Sequence, residues 1–372
     1  MHPGLAEPAT KEEWRRYLTA TPPPAPDMPS PTEYHDMSSV ARAQFNRARK
    51  AHHSAGVLVR TPDIERLHYE LHRRLDVNRY QPAGARRGKV IDGPPTTGKS
   101  TLVKLFAADY ENELRETEPE RFVTDEGQEF VRDYVPVVYI SIQAQTTPKD
   151  LSIAIADFLM QPYRKSATKS EITTLVLRAM RIVGTELVII DDAHFLDVSL
   201  KEGKVANDHL KYLANYTAAT FVYTGHDLEE GGLFLEGSAK SRATQTAGRN
   251  DLHRVTPFSI GTPAQAKEWV GVIASMEAAL LLYQHQPGSL TRHHGRYLHE
   301  RTGGSIASLS SLIRESAIEA VNSGAEAITR EVMDRVTVDK SAAEHFEKAT
   351  KLRTRKRNPP PARPGRAVEA PA

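Results

Sequence analysis

The run Gly93-Pro94-Pro95-Thr96-Thr97-Gly98-Lys99-Ser100-Thr101 has the spacing GxxxxGK[ST], a glycine-rich turn that opens a helix. In such a turn, successive backbone N–H groups and the helix N-terminus converge on the β- and γ-phosphates of a nucleoside triphosphate, where the helix dipole also favours negative charge. Gly93 and Gly98 allow the close wrap, and Pro94, Pro95, Thr96 and Thr97 complete the loop between them. Lys99 adds a positive charge at the γ-phosphate. The Ser100 hydroxyl is expected to bind Mg²⁺ together with phosphate oxygens and waters, as a hard cation requires, and Thr101 to be structural. The expected cofactors are ATP and Mg²⁺.

A second cluster follows at Glu186-Leu187-Val188-Ile189-Ile190-Asp191-Asp192-Ala193-His194, where four apolar residues run into two carboxylates. Asp191 is expected to end a buried strand facing the magnesium. Asp192 would point toward the attacking water, where a general base or water-orienting group is needed. The alternative is that the two aspartates only cap a helix. A polar residue at the end of the next strand could sense the γ-phosphate: Thr224 is the first candidate and His226 the second, against a turn hydroxyl and a surface histidine. Before the last strand, Arg254, then Arg249, could reach a neighbouring subunit's nucleotide and stabilise transition-state charge. Solvent exposure is the other reading of each arginine.

These groups need a scaffold that brings strand ends together. From Lys89 the chain alternates short apolar runs with helix-length segments, the pattern of a three-layer α/β unit with a parallel sheet. Five strands are expected, at Lys89–Asp92, Val135–Ile142, Glu186–Asp191, Thr220–Thr224 and Val255–Ile260. Helices at about Lys99–Arg115, Lys149–Met160, Ser170–Val183 and Val205–Tyr216 would cross between them. Beyond the fifth strand the pattern is helical, through Pro263–Gln284, Leu290–Arg301, Ile306–Ser323 and Thr329–Val336. The expected organisation is a disordered proline-rich arm over 1–36, an N-terminal helical segment over 37–84, a P-loop core over 85–262, an all-helical lid over 263–338 and a disordered basic tail over 339–372.

Composition narrows the chemistry further. The 372 residues contain no cysteine, so disulfides, thiolate metal sites and cysteine nucleophiles are excluded. The N-terminus has neither the basic nor the apolar region of a secretory signal, and no apolar run reaches the roughly 20 residues of a bilayer span, so a cytoplasmic protein without membrane partners is expected. The net charge of +2 does not by itself indicate nucleic acid. The tail differs, because Lys348 to Arg366 holds eight Lys or Arg and no acid; it is either a solvated segment or a contact to a phosphate backbone.

Together, the phosphate loop, acidic strand end, polar fourth strand, arginine before the fifth and helical lid resemble an AAA+ ATPase. Over about residues 57 to 336 the chain is similar to the TniB and TnsC family of transposition ATPases, related to MuB. The resemblance rests on VLVRTPDIERLHYELHRRL, YISIQAQTTPKDLSIAIADFL, VIIDDAHFL and RTGGSIASLSSLIRESAIEAVNSGAEAIT, the last being the most diagnostic. It implies ATP hydrolysis by an ATP-dependent homo-oligomer, a ring or helical filament. It also implies double-stranded DNA as a partner, with a transposase and a target-selection protein, in the regulation of transposition. The loop Gln143 to Lys149 is where the resemblance places the DNA groove, with Thr146, Thr147 and Lys149 as contacts; Thr147-Pro148-Lys149-Asp150 could equally just open the next helix. Where the family commonly has Asp-Glu, this chain has Asp191-Asp192, one methylene shorter, which points to slow or water-mediated hydrolysis. The segment Gly304-Ser305-Ile306-Ala307 lacks the arginine of many AAA+ lids. A helicase loader or replication initiator built on the same core, and a nucleotide-gated interaction protein with little turnover, are the competing readings.

Overall fold

The computed structural model describes residues 6–82, 86–117, 121–123, 127–131, 133–196, 201–228 and 250–357. The chain divides into two compact units, Met1–Pro257 and Phe258–Ala372.

The first unit is built on five parallel strands: β1 (Gly88–Asp92), β4 (Val137–Ser141), β5 (Leu187–Asp191), β6 (Thr220–Gly225) and β7 (Asn250–Arg254), in the order β4-β5-β6-β1-β7. Strands buried on both faces read as continuous apolar runs. Leu187, Val188, Ile189 and Ile190 of β5 accordingly lie wholly inside. The helices α5 (Lys99–Thr117), α6 (Pro148–Phe158), α7 (Lys169–Val183) and α8 (Lys201–Tyr216) connect the strands. Their ends carry local stop and start signals. Thr168 and Glu171 form a capping box at the head of α7, and Gly184 closes it in the left-handed conformation. This is the expected α/β P-loop sheet. A two-stranded antiparallel hairpin, β2 (Arg121–Val123) with β3 (Glu129–Val131), stands apart from it.

The structure departs from expectation at three places. The fifth strand is Asn250–Arg254, not Val255–Ile260. Among the described residues it pairs only with β1 and so is an edge strand, where polar residues are tolerated. Arg74 bridges to Asp251, and His253 lies buried between Asp63 and Glu70, at 3.5 and 3.6 Å. Only Val255 extends the ladder, its N–H donating to Asp92 O at 2.7 Å.

The proline-rich arm is the second correction. Within 1–36 it carries helices α1 (Lys11–Thr19) and α2 (Pro31–Asp36), and Trp14 of α1 is 1% exposed. Trp14, with Tyr17 and Leu18 packed against the core beside it, orders a short helix whose other residues are polar. Helices α3 (Ser39–Ala55) and α4 (Pro62–Arg79) follow, α4 burying Leu67, Leu71 and Leu75 at helical spacing.

In the second unit, α9 (Pro263–Glu277), a π-helical turn at Leu290–His294, α10 (Gly295–Thr302), α11 (Ile306–Ser323) and α12 (Arg330–Asp334) form a helical cluster around Trp269, Leu298, Leu309 and Leu312. The tail supplies the third difference, because α13 spans Lys340–Arg357. Ala342 of α13 is buried, and the Asp339 carboxylate at its head accepts from Ser308 Oγ. Residues 358–372, the rest of the expected basic tail, lie outside the described residues.

Candidate functional site

The phosphate loop leaves β1 at Asp92 and enters α5 at Lys99. Its conformation demands glycine at both ends. A Cβ on Gly93 would come within 2.2 Å of the Val255 carbonyl oxygen, and Gly98 sits at φ 85°, in the region that L-residues avoid. Thr96, also left-handed at φ 65°, turns the loop between them. Thr97 Oγ1 donates to Pro94 O at 2.8 Å, and Leu102 N–H bonds to Gly98 O at 2.9 Å as the first bond of α5. Lys99 Nζ donates to the carbonyls of Gly93 and Pro94 at 2.7 and 2.8 Å. Burial pulls the Lys99 pKa below its ordinary value, while the carboxylates of Asp191, Asp92, Asp192 and Asp227 pull it back up. The lysine therefore belongs electrostatically to a group of acids drawn from three strand ends.

Asp191, 3% exposed, is fixed by three donors. Thr224 Oγ1 and the Asp192 N–H, the latter at 2.9 Å, both reach Oδ1, and the Tyr139 hydroxyl reaches Oδ2 at 2.6 Å. Register explains the convergence. Ser141 of β4 lies opposite Asp191, and Ile190 lies opposite Tyr223, so the next residue, Thr224, falls beside Asp191. The Asp192 backbone is left-handed at φ 56°, and its carboxylate accepts from Ser141 Oγ at 2.9 Å. It makes no side-chain cap to the turn Ala193–Phe195 that follows, so the helix-cap alternative for Asp192 is not what is seen. Beside it the His194 ring lies 3.7 Å from that of His226, centroid to centroid. Burial, then His226 and Lys99, push the His194 pKa down against the opposing pull of Asp192 and Asp191.

Lys99, Asp191, Asp192 and Thr224 are thus brought to one end of the sheet, and His226 is drawn in through His194. Ser100 and Thr101 stand half-buried in the first turn of α5. Arg254 is exposed at the end of the edge strand, opposite Asp92 in register. Arg249 lies outside the described residues. In the loop after β4, Thr146 Oγ1 donates to Gln143 O at 2.6 Å, and Thr147 closes a capping box with Asp150 at the head of α6. Lys149 sits in the first turn of that helix. These bonds match the helix-opening alternative for the loop, while Gln143, Ala144, Gln145 and Thr147 remain exposed.

Sequence reasoning missed Tyr139, Ser141, Asp92 and Asp227. Tyr139 had a signal, since a tyrosine inside an otherwise aliphatic strand needs a partner for its hydroxyl; the others depend on register and loop path.

The site suits a magnesium-bound triphosphate. The loop wraps closely at the head of a 19-residue helix, with a lysine and a hydroxyl in its first turn. Among the described residues no group of three or more His, Asp or Glu forms an all-protein metal cage. The donors Ser100 and Asp191 fit a cation that takes its remaining ligands from phosphate and water.

Residues 49–230 match the family model described as bacterial TniB protein. Among solved structures, the chain is similar to the Orc1 protein of Aeropyrum pernix in complex with DNA, at 15% identity and a TM-score of 0.53, over 81% of this chain and 69% of that one. It is also similar to Cdc6p of Pyrobaculum aerophilum, at 16% identity and a TM-score of 0.50, over 74% and 66%. At such identities the likeness is one of fold. No curated protein sequence matches. Residues 49–230 are thus a TniB-like segment, on the α/β fold of an AAA+ P-loop ATPase.

Proposed function

We propose that this protein is an ATP-hydrolysing, DNA-binding oligomer that regulates transposition, selecting a target site and recruiting and stimulating a transposase. The observation that supports this best is the meeting of Lys99, Asp191, Asp192 and Thr224 at one strand end within the TniB segment. In this reading the loop amides and Lys99 bind the β- and γ-phosphates, and Ser100 and Asp191 hold Mg²⁺. Bound there, the cation would neutralise charge developing on the phosphates. Asp192, steadied by Ser141, orients the attacking water and accepts its proton as phosphate leaves ADP. Thr224 keeps Asp191 in place. Arg254, exposed on the edge strand, reaches a neighbouring subunit's nucleotide.

The exposed loop from Gln143 to Lys149 is the proposed contact with double-stranded DNA, through Thr146, Thr147 and Lys149. Orc1 of Aeropyrum pernix, which shares the fold, was solved with DNA. The similarity to Orc1 and Cdc6p lies in the fold and does not favour a replication role. A target-selection protein is a further proposed partner, and the cytoplasm the proposed location. Among the described residues no helix is long and apolar enough to cross a membrane.

The test is electron microscopy with a mobility-shift assay on duplex DNA. With ATP or a non-hydrolysable analogue, rings or filaments and a salt-sensitive shift are expected. Binding restricted to single strands or to a helicase ring would favour a loader instead, and absence of any assembly would refute the proposal.

A further inference from the structure

The N-terminal helix reaches the carboxylate at the centre of the site. Trp14 is the buried residue of α1, and its ring stacks on Tyr139, with centroids 5.9 Å apart and planes 9° apart. The indole N–H donates to Glu111 Oε2 at 2.7 Å, so the ring is fixed in rotation as well as in depth. Outside this pocket, Lys11 and Arg15 both bind the Asp133 carboxylate. Ahead of the helix, Glu7 pairs with Lys104, whose ammonium stands 5.0 Å from the centroid of the same Tyr139 ring. Tyr139 is therefore held from one side by Trp14 and from another by the Glu7–Lys104 pair. Its hydroxyl has one proton, and it donates that proton to Asp191.

We infer that Tyr139 is a positioning residue for Asp191, and that α1 holds Tyr139 through Trp14, which makes the N-terminal segment a working part of the nucleotide site. This rests on the reading above that Asp191 serves Mg²⁺-ATP. The chemistry is orientation. Thr224 and the Asp192 amide both bind Oδ1, so without Tyr139 the other oxygen loses its donor and the carboxylate can swing about its remaining anchor. Helix α1 contributes no strand to the sheet. It is tied to the core by the buried Trp14, by Tyr17 and Leu18 packed beside it, and by surface ion pairs. The following residues 20–30 hold Pro22, Pro23, Pro24, Pro26 and Pro29 and have no regular structure.

The experiment uses the full chain in a Trp269→Phe background. The sequence has two tryptophans, so Trp14 then reports alone. Three quantities are measured: affinity for a fluorescent ATP analogue as a function of Mg²⁺, steady-state turnover, and Trp14 emission. Tyr139→Phe keeps the ring against Trp14 and removes only the hydroxyl. It should leave metal-free nucleotide affinity within about twofold, raise the Mg²⁺ concentration for half-maximal affinity about tenfold, and lower kcat by a similar factor, as expected for losing one hydrogen bond to a charged group. Lys11→Glu with Arg15→Glu repels Asp133 at the surface. It should shift Trp14 emission to the red and produce the same Mg²⁺ and kcat changes. Those changes should not grow when Tyr139→Phe is added, because both act through one hydroxyl. Should the charge reversal leave emission unmoved, Trp14→Ala takes its place, with hydrogen exchange of residues 11–19 as the docking signal and Trp14→Phe as the rescue. Undocking without change in Mg²⁺ dependence or kcat, or strictly additive effects, would overturn the inference. A wild-type chain whose nucleotide binding ignores Mg²⁺ would overturn the proposed site itself, and this inference with it.

Discussion

Thr224→Val tests the heart of the site with a small change. Thr224 has no exposed surface and its hydroxyl donates to Asp191 Oδ1, so valine fills the same space and removes one bond. The oxygen keeps the Asp192 amide at 2.9 Å, and Oδ2 keeps Tyr139, so no buried acceptor is orphaned. The stability cost should therefore sit near the low end for a hydrogen bond to a charged group, about 1.5 kcal/mol. In a unit of this size that corresponds to a fall in Tm of about 3–6 °C. The effect on turnover should be larger than the effect on binding, because orientation of Asp191 matters most as charge develops. Loss of about 2 kcal/mol of transition-state stabilisation corresponds to a kcat about 30-fold lower. Phosphate-release kinetics would measure kcat, calorimetry the affinity for a non-hydrolysable analogue. Thr224→Ser, which keeps the hydroxyl, should recover most of the rate. An unchanged kcat in the valine variant would refute the assigned role. So would a loss of affinity as large as the loss of rate, which would place Thr224 in folding or binding instead.

Lys99→Ala should abolish measurable ATP binding in a calorimeter while leaving the melting temperature within a few degrees, since the ammonium contacts only loop carbonyls. Asp192→Ala should bind nucleotide yet lengthen the lifetime of ATP-dependent assemblies, followed by light scattering after a chase with ADP; an unchanged lifetime would favour a nucleotide-gated protein that scarcely turns over. The buried His209, bonded to Ser152 Oγ at 2.8 Å, has its pKa pushed down by burial from 6.5 to about 4. The unfolded chain then binds the proton more readily, so this residue's contribution is complete above pH 6.5 and is lost as pH falls toward 4, by about 1.4 kcal/mol per unit. Denaturant midpoints of the wild type should fall more steeply over that window than those of His209→Gln.

The functional loop was legible because its chemistry is local. A phosphate cradle needs Gly93, Gly98, Lys99 and Ser100 at fixed offsets, and β5 needs an apolar run that ends in acid. What escaped was set by contacts across the chain. Strand β7 is polar, since it lies at an edge and satisfies its charges against α4, so the apolar Val255–Ile260 drew attention away from it. Helix α1 lies beside the proline-rich stretch, and its apolar face, Trp14, Tyr17 and Leu18, spans little more than one turn among charged residues. Tyr139 was visible as a strand residue, but its bond to Asp191 depends on which strands are neighbours.

The left-handed backbone at residue 192 bears on how far this site can be remade. Short polar side chains such as Asp and Asn occupy that conformation far more readily than longer ones. Installing a glutamate there would lengthen the side chain's reach but set a poorly suited side chain on a fixed corner of the chain. Asparagine keeps the corner while discarding the charge. Substitution at this position is thus constrained by handedness before it is constrained by acidity.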